Sequence, residues 1–241
     1  MQDFLNAAIS ANQEIAILIR AMNFEDLCQM THLGCGGDIS RRIDIVAENI
    51  FIKKLSPFGN IYSEECGFLD NNKAYDIFID PIDGSNNFVS NFPYYGTSIA
   101  LKYQSKYLSA VIVNLANGDL FVKDQKRFQK ANLQNLEFQD IDCNPHATMG
   151  IFEKSYSLKA LYETLEKNHI KYRSPGAIAL SLAYAHQVNF VLFGGVARPY
   201  DIEAGMYMCD DLYMIKQETL LFISKDKETF DKMSGLFKEG S

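Results

Sequence analysis

The spacing of apolar residues changes along this chain, and that change limits the folds it can adopt. Over residues 4–22 the apolar side chains recur mostly at intervals of three and four, which predicts an amphipathic helix. A second stripe at helical spacing follows a glycine-rich break at 34–37, and Asp38 is the expected N-cap of that helix. The chain is therefore expected to begin with two helices, each burying one face.

Residues 61–122 instead carry short runs of β-branched and aromatic residues separated by turns, including the hairpin signal Asn117-Gly118. This pattern predicts an antiparallel sheet. From residue 147 onward, strand-like runs alternate with helix-like ones, as in an α/β sandwich. The predicted fold class is α+β, with N-terminal helices on an antiparallel sheet that packs with a C-terminal α/β sub-domain.

The polar stretch 123–145 is the expected boundary between two parts of the chain. It separates the strand-rich segment from the alternating one, and it contains no Gly/Ser-rich linker. We therefore expect sub-domains at residues 1–124 and 125–241 that pack closely together. A ligand is expected in the crevice between them.

The charge balance restricts the partners of this chain. Its 241 residues include 23 Lys and Arg against 30 Asp and Glu, a net charge of -7, which disfavours nucleic acid as a partner. The five scattered cysteines form no C-x-x-C pair and indicate reduced thiols. The sequence shows neither a secretory signal pattern nor an apolar run near the ~20 residues of a membrane span. We expect a cytoplasmic protein without a membrane association.

The densest group of unusual residues follows an apolar strand, where Asp80 and Asp83 are three residues apart. Carboxylates at such a place are costly without a partner, and Mg²⁺ prefers carboxylate and carbonyl oxygens. Asp80, Asp83 and the carbonyl of Ile82 are therefore candidate ligands. Gly84 and Ser85 follow at a turn or helix start whose free N–H groups can hold a phosphate. An ordinary Asp-Gly turn is the alternative.

Two further acidic loops have ordinary explanations when each is taken alone. Glu64-Glu65 follows a short apolar run and is typical of a solvent loop, and Asp201 fits an N-cap. Asp44, on the second predicted helix, fits a solvated face with ion pairs at helical spacing. Together, however, the three acidic loops can supply four carboxylates to a site with two metal ions.

Taken in order along the chain, these motifs resemble the inositol monophosphatase family. They are Ser63-Glu64-Glu65, the run from Asp80-Pro81-Ile82-Asp83-Gly84-Ser85 to Asn86-Asn87-Phe88, and Tyr200-Asp201-Ile202-Glu203-Ala204-Gly205. Gly176-Ala177 and the helix after it are similar to the family segment that precedes the last motif. The resemblance implies a layered αβαβα fold and a Mg²⁺-dependent phosphomonoesterase. It also implies two or three Mg²⁺ per site, inhibition by Li⁺ and a homodimer.

The resemblance further implies a role for each matched residue. The implied metal ligands are Glu64, Asp80, the carbonyl of Ile82, Asp83 and Asp201. Asp44 and Ser85, together with Glu64, would activate the attacking water. The N–H groups of Gly84 and Ser85 would bind the phosphate, and Gly176 and Ala177 would contact the substrate. For Asp44, this implied role replaces the solvated-face interpretation.

The sequence departs from the family pattern at positions that bear on the substrate. Tyr200 replaces a Trp, Glu203 replaces an Ala, and Gly194 stands close to where inositol-specific members have an acidic residue. The expected substrate is a small polyol or sugar phosphate. Fructose 1,6-bisphosphate, histidinol phosphate and 3′-phosphoadenosine phosphate stay open as alternatives. A protein-interaction role in transcription, which a bacterial member of the family also has, stays open as well.

Overall fold

Five layers of secondary structure stack in the order αβαβα in the computed structural model, which describes residues 1–239. The first layer contains helices α1 (Gln2–Ala21) and α3 (Arg42–Leu55), joined through the short α2 (Phe24–Leu27). The first helix agrees with its prediction. The second begins four residues after the predicted N-cap Asp38, because Ile39–Arg41 pairs as a strand. The layered fold class is confirmed.

The second layer is a sheet of eight strands. Its strands are β3 (Asn60–Ser63), β4 (Gly67–Leu69), β5 (Tyr75–Asp83), β6 (Gly96–Tyr103), β7 (Lys106–Asn114), β8 (Asp119–Asp124), β9 (Phe128–Asn132) and β10 (Gln139–Asp140). They lie in the order β10-β9-β8-β7-β6-β5-β3-β4. A separate hairpin of β1 (Met30–Leu33) and β2 (Ile39–Arg41) precedes α3.

The prediction of a purely antiparallel sheet is wrong at one pair of strands, because β3 and β5 run parallel. The chain turns back after β3 to form β4 on its outer side, and it then turns again to place β5 on the inner side. Two reversals restore the original direction. Both strands therefore end at the same edge of the sheet.

The polar stretch 123–145 is not a linker throughout, because β9 and β10 fall within it and extend the large sheet. The alternation of polar and apolar residues in these short strands is too weak to distinguish them from a loop by sequence. The division of the chain at residue 124 stays a prediction.

The third layer contains α6 (Ile178–Ala183) and α7 (Pro199–Met208), which pack on β5, β6 and β7. Gly205 lets these two helices approach closely, because a Cβ atom there would lie 2.4 Å from the Leu182 Cβ. The short helix α4 (Ser85–Val89) follows β5 directly. This packing brings the N-terminal end of α7 to the edge where β3 and β5 end.

The fourth and fifth layers complete the C-terminal part. The smaller sheet contains β11 (Gly150–Glu153), β12 (Tyr172–Arg173), β13 (Phe190–Gly194), β14 (Tyr213–Lys216) and β15 (Leu220–Ser224), in the order β12-β11-β13-β15-β14. One face of it packs on the middle helices, and the other packs on α5 (Lys159–Lys167) and α8 (Lys227–Glu239). A single 3₁₀ turn, Ser155–Ser157, follows β11.

Two sequence expectations concern the environment of the protein. All five cysteines are free, in agreement with the prediction of reduced thiols. Across residues 1–239, no helix combines the length and the apolar character that crossing a membrane requires.

Candidate metal centre and active site

The parallel pairing of β3 and β5 places two acidic residues side by side. Ser63 is the register partner of Ile79, so Glu64 and Asp80 come next on adjacent strands. The Glu64 N–H donates to the Ile79 carbonyl at 3.3 Å and fixes this arrangement. The acidic residues are thus aligned by the sheet itself.

Helix α7 brings a third carboxylate to the same point. Asp201 is the third residue of this helix, which begins at Pro199 after the N-cap Arg198, so Asp201 is not the N-cap. Carboxylate oxygens of Glu64, Asp80 and Asp201 all lie within 4.8 Å of one another. We call these three residues the acid cluster.

The acid cluster has the properties of a cation site. Burial raises the pKa of Glu64 to about 8, against the opposing effect of the Arg198 cation. Burial, and then the charges of Glu64 and Asp83, raise the pKa of Asp80 well above its usual range. Asp80 is only 3% exposed, and its Oδ1 has no hydrogen-bond partner in the described part of the chain. A buried carboxylate oxygen without a donor is costly unless a cation meets it, and hard oxygen ligands suit Mg²⁺.

Asp83 borders the acid cluster but is held differently. Its Oδ2 accepts the Leu180 N–H of α6 at 3.0 Å, which ties the end of β5 to the middle helix layer. Burial raises the pKa of Asp83 well above its usual range, and the charge of Asp201 adds to the shift. The carbonyl of Ile82, the remaining predicted ligand, accepts the Ser85 hydroxyl at 3.4 Å. The structure thus groups three predicted ligands tightly and places the other two beside them.

The solvated-face interpretation of Asp44 is wrong, because α3 lays this face of the helix over β3 and β5. Asp44 is buried, and its Oδ2 accepts the Arg41 N–H at 2.6 Å. The Ser85 side chain lies beside it and lowers its pKa. Burial is the main reason that the pKa of Asp44 rises to about 7. A buried carboxylate of this pKa can exchange a proton near neutral pH.

The segment with Gly176 and Ala177 lies against the start of α4. A Cβ atom on Gly84 would be 3.1 Å from the Ala177 side chain, and Gly84 adopts a positive φ of 88°. The N–H groups of Gly176 and Ala177 do not face this contact, because they donate to Glu153 at 2.8 and 3.2 Å. These two N–H groups are therefore already paired within the chain, and the predicted contact of Gly176 and Ala177 with a substrate stays a prediction.

Two charged residues at the site were missed by sequence reasoning. Arg198 contacts Glu64 and Asp201. The sequence feature that could have identified it is an arginine three residues before a candidate metal ligand. Glu153 accepts a hydrogen bond from the Ser181 hydroxyl at 2.6 Å, besides those from the Gly176 and Ala177 N–H groups. The sequence feature that could have identified it is an acidic residue at the end of an apolar strand.

A sequence profile of the inositol monophosphatase family matches residues 1–210. A bifunctional NADP phosphatase/NAD kinase of Methanococcus maripaludis is 23% identical over 232 residues, and the alignment covers 84% of this chain and 41% of that protein. The chain thus spans less than half of that relative. A fructose-1,6-bisphosphatase of Pyrococcus furiosus is 28% identical over 186 residues, covering 73% of this chain and 69% of that one. The Nus factor SuhB of Escherichia coli is 29% identical over 219 residues, covering 85% and 81%.

The fold is also similar to that of solved structures. The extragenic suppressor protein SuhB of Bartonella henselae superposes with a TM-score of 0.79 at 19% identity, over 97% of this chain and 98% of that one. The similarity in fold thus covers nearly the whole chain, including the part after residue 210 that the family profile does not match.

Proposed function

This chain belongs to the inositol monophosphatase family, and on that premise we propose that it is a Mg²⁺-dependent phosphomonoesterase that hydrolyses a small polyol or sugar phosphate. The observation that carries the proposal is the acid cluster of Glu64, Asp80 and Asp201, whose oxygens converge within 4.8 Å. The buried Oδ1 of Asp80, which no donor reaches among residues 1–239, supports a cation at this point.

The proposed ligands are those that the family resemblance implies: Glu64, Asp80, the carbonyl of Ile82, Asp83 and Asp201. Bound Mg²⁺, two or three ions per site, would supply an activated water and neutralise the phosphoryl and leaving-group oxygens. The donors are all hard oxygens, which also suit Li⁺, and we propose Li⁺ as an inhibitor that competes for this site.

The remaining proposed roles belong to residues beside the cluster. Asp44 is proposed to take the proton of the attacking water at its carboxylate, and its pKa of about 7 suits this task. The Ser85 hydroxyl, which lies beside Asp44, is proposed to orient the water, and Glu64 is proposed to hold this water from the side of the acid cluster. The N–H groups of Gly84 and Ser85, at the start of α4, are proposed to bind phosphoryl oxygens.

Inorganic phosphate release tests this proposal, with and without Mg²⁺, on phosphates of inositol, fructose, histidinol and adenosine and on NADP. Asp83→Asn is the decisive variant, because it removes charge at nearly constant volume and keeps an oxygen for the Leu180 N–H. We expect Mg²⁺-dependent turnover in the wild type and none in the variant. Asp140→Asn, at the far edge of the same sheet, is the matched control and is expected to retain full activity. Retained turnover in Asp83→Asn would overturn the mechanism.

The surroundings of Gly194 bear on the choice of substrate. A Cβ atom at this position would lie 2.9 Å from the Leu158 Cγ and 3.1 Å from the Lys154 carbonyl. No side chain fits there without movement of β13 or its neighbours. The hydroxyl-binding acid of inositol-specific members therefore has no counterpart at Gly194, which supports testing the bisphosphate and nucleotide substrates beside inositol phosphate.

A protein-interaction role in transcription is a second candidate, favoured by the similarity to relatives named Nus factor SuhB. The β1–β2 hairpin offers a surface for it, because Met30, Leu33 and Ile39 are exposed by 64%, 67% and 56%. Co-purification with transcription proteins that persists in Asp83→Asn and is lost in Leu33→Asp would support this role. Absence of any transcription protein from the purified complex would count against it.

A homodimer and a cytoplasmic location are also part of the proposal. The family resemblance supports both, and the five free cysteines agree with a reducing compartment. Sedimentation equilibrium of the purified chain tests the first, and fractionation of cells tests the second.

A further inference from the structure

Arg198 lies against the acid cluster and uses its guanidinium group to bind two of the three carboxylates. Its Nη2 is 2.7 Å from the Glu64 Oε1. Its Nε and Nη2 donate to the two oxygens of Asp201 at 2.9 and 3.2 Å. Three of the six oxygens in the cluster are thus in contact with one cation, whereas Asp80 is left without it.

The rest of the Arg198 side chain is bound on the solvent side. Its Nη1 donates to the Gly36 carbonyl at 3.0 Å and to the Asp38 Oδ2 at 2.8 Å. The guanidinium also lies 5.1 Å from the ring of Tyr200. The guanidinium thus has carboxylate partners on both sides: Glu64 and Asp201 in the acid cluster, and the largely exposed Asp38 towards solvent.

A divalent metal ion and this guanidinium compete for the same carboxylate oxygens of Glu64 and Asp201. A Mg²⁺ ion binds carboxylate oxygens at about 2.0–2.1 Å, so an ion held by Glu64 and Asp201 would lie within a few ångströms of the guanidinium. Two cations at that separation in a buried site repel each other strongly. Arginine is never neutral in proteins, so the repulsion cannot be relieved by loss of a proton.

We propose that Arg198 is an internal counter-cation of the metal-free protein, which binding of a divalent metal must displace from Glu64 and Asp201. The displaced guanidinium stays near the loop 36–38, where it keeps its ion pair with Asp38. Arg198 thereby stabilises the metal-free fold and lowers the affinity for metal. This inference rests on the proposed function, because it takes the acid cluster as the metal centre.

Titration of the purified, chelator-treated full chain with Mn²⁺ tests the inference, with the free ion measured by electron paramagnetic resonance and no substrate present. Arg198→Gln is expected to bind Mn²⁺ at least about tenfold more tightly than the wild type. Its metal-free melting temperature is expected to fall, and its rise on addition of Mn²⁺ to exceed that of the wild type. Lys130→Gln removes the same charge on β9, four strands from β5, and is expected to change the affinity less than about twofold.

The outcomes separate this inference from the proposed function. Equal or weaker Mn²⁺ binding by Arg198→Gln, with binding that still depends on Asp80, would overturn the role of Arg198 and leave the metal centre in place. If Asp80→Asn binds Mn²⁺ as the wild type does, the acid cluster is not the metal centre, and both ideas fail.

A second variant covers the case in which Arg198→Gln does not fold. Arg198→Lys keeps the charge but loses the planar fork that engages both oxygens of Asp201. Its Mn²⁺ affinity is expected to rise about threefold, between those of the wild type and the glutamine variant. An affinity no higher than that of the wild type would contradict displacement.

Discussion

The protein contains two groups of buried carboxylates, and they are satisfied in opposite ways. Glu153 is enclosed by its own chain, with the Gly176 and Ala177 N–H groups and the Ser181 hydroxyl as donors. In the acid cluster, Asp80 is equally buried but its Oδ1 meets no donor anywhere in the described structure. Burial alone therefore does not mark a metal centre. The difference is whether the chain provides the positive partners of the carboxylate.

This difference has a consequence for what each site stabilises. The hydrogen bonds of Glu153 tie the 176–177 segment and α6 to the end of β11 and need no metal ion. The acid cluster instead lowers the stability of the metal-free fold, because its charges are close together and only partly compensated. We expect substitutions at the two sites to act on different properties, folding in one case and metal binding with turnover in the other.

The largest expected effect is on turnover in Asp80→Asn. Removal of this carboxylate takes a charge from the centre of the cluster, and we expect a loss of at least a thousandfold, which corresponds to about 4 kcal/mol of transition-state stabilisation. The metal-free melting temperature is expected to rise, because burial disfavours the ionised form of Asp80 and the amide carries no charge at any pH. Phosphate release and thermal melting measure the two effects. A variant that is both active and less stable would show that Asp80 acts in the same way as Glu153.

The next effect is on stability in Glu153→Gln. The amide group replaces one acceptor oxygen with a donor, so at least one of the three donors that face it is left unpaired, at a cost of about 1–3 kcal/mol. Urea unfolding measures the loss, and Glu137→Gln on an exposed loop is the control. Mn²⁺ affinity should stay within about threefold of the wild type. A loss of Mn²⁺ affinity as large as that of Asp80→Asn would show that Glu153 also serves metal binding, against the distinction between the two groups.

The pH dependence of stability is expected to differ between the metal-free and the Mg²⁺-bound protein. The pKa of Asp44 is raised from 3.8 to about 7 and that of Glu64 from 4.5 to about 8. At a pH between the usual and the raised pKa values, the folded protein binds more protons than the unfolded chain. The free energy of unfolding of the metal-free protein should therefore fall as pH rises from about 5 to 8. Saturating Mg²⁺ should remove this fall, because metal binding favours the deprotonated carboxylates. Urea unfolding across this range, with and without Mg²⁺, measures both trends.

Much of the fold could be predicted from periodicity, but the strand direction that creates the site could not. The apolar stripe of α1 and the β-rich segment after residue 60 are local patterns, and both agree with the structure. The parallel pairing of β3 and β5 depends on where β4 is placed, which no local pattern reports. Yet this pairing is what aligns Glu64 with Asp80.

The candidate site could be predicted from the sequence mainly because its motifs follow one another in the order of a known family. Composition and spacing alone gave ordinary explanations for Asp44 and Asp201, and the structure contradicts both, since Asp44 is buried and Asp201 lies inside the first turn of α7. The resemblance to a family implied different roles for both, water activation for Asp44 and metal binding for Asp201. Neither route found Arg198, because its contacts with Glu64 join residues 134 positions apart in the chain.

The smallest expected effect concerns the pair of Asp44 and Ser85. Ser85→Ala removes a hydroxyl that lowers the pKa of Asp44, so that pKa should rise further and turnover near pH 7 should fall by about tenfold. Asp44→Asn should cost more, about a hundredfold, because it removes the proposed proton acceptor. If the two residues act on one water, the double variant should be no slower than Asp44→Asn alone, since the serine has nothing left to assist. Losses that multiply would separate Ser85 from Asp44 and assign the serine to phosphate binding instead.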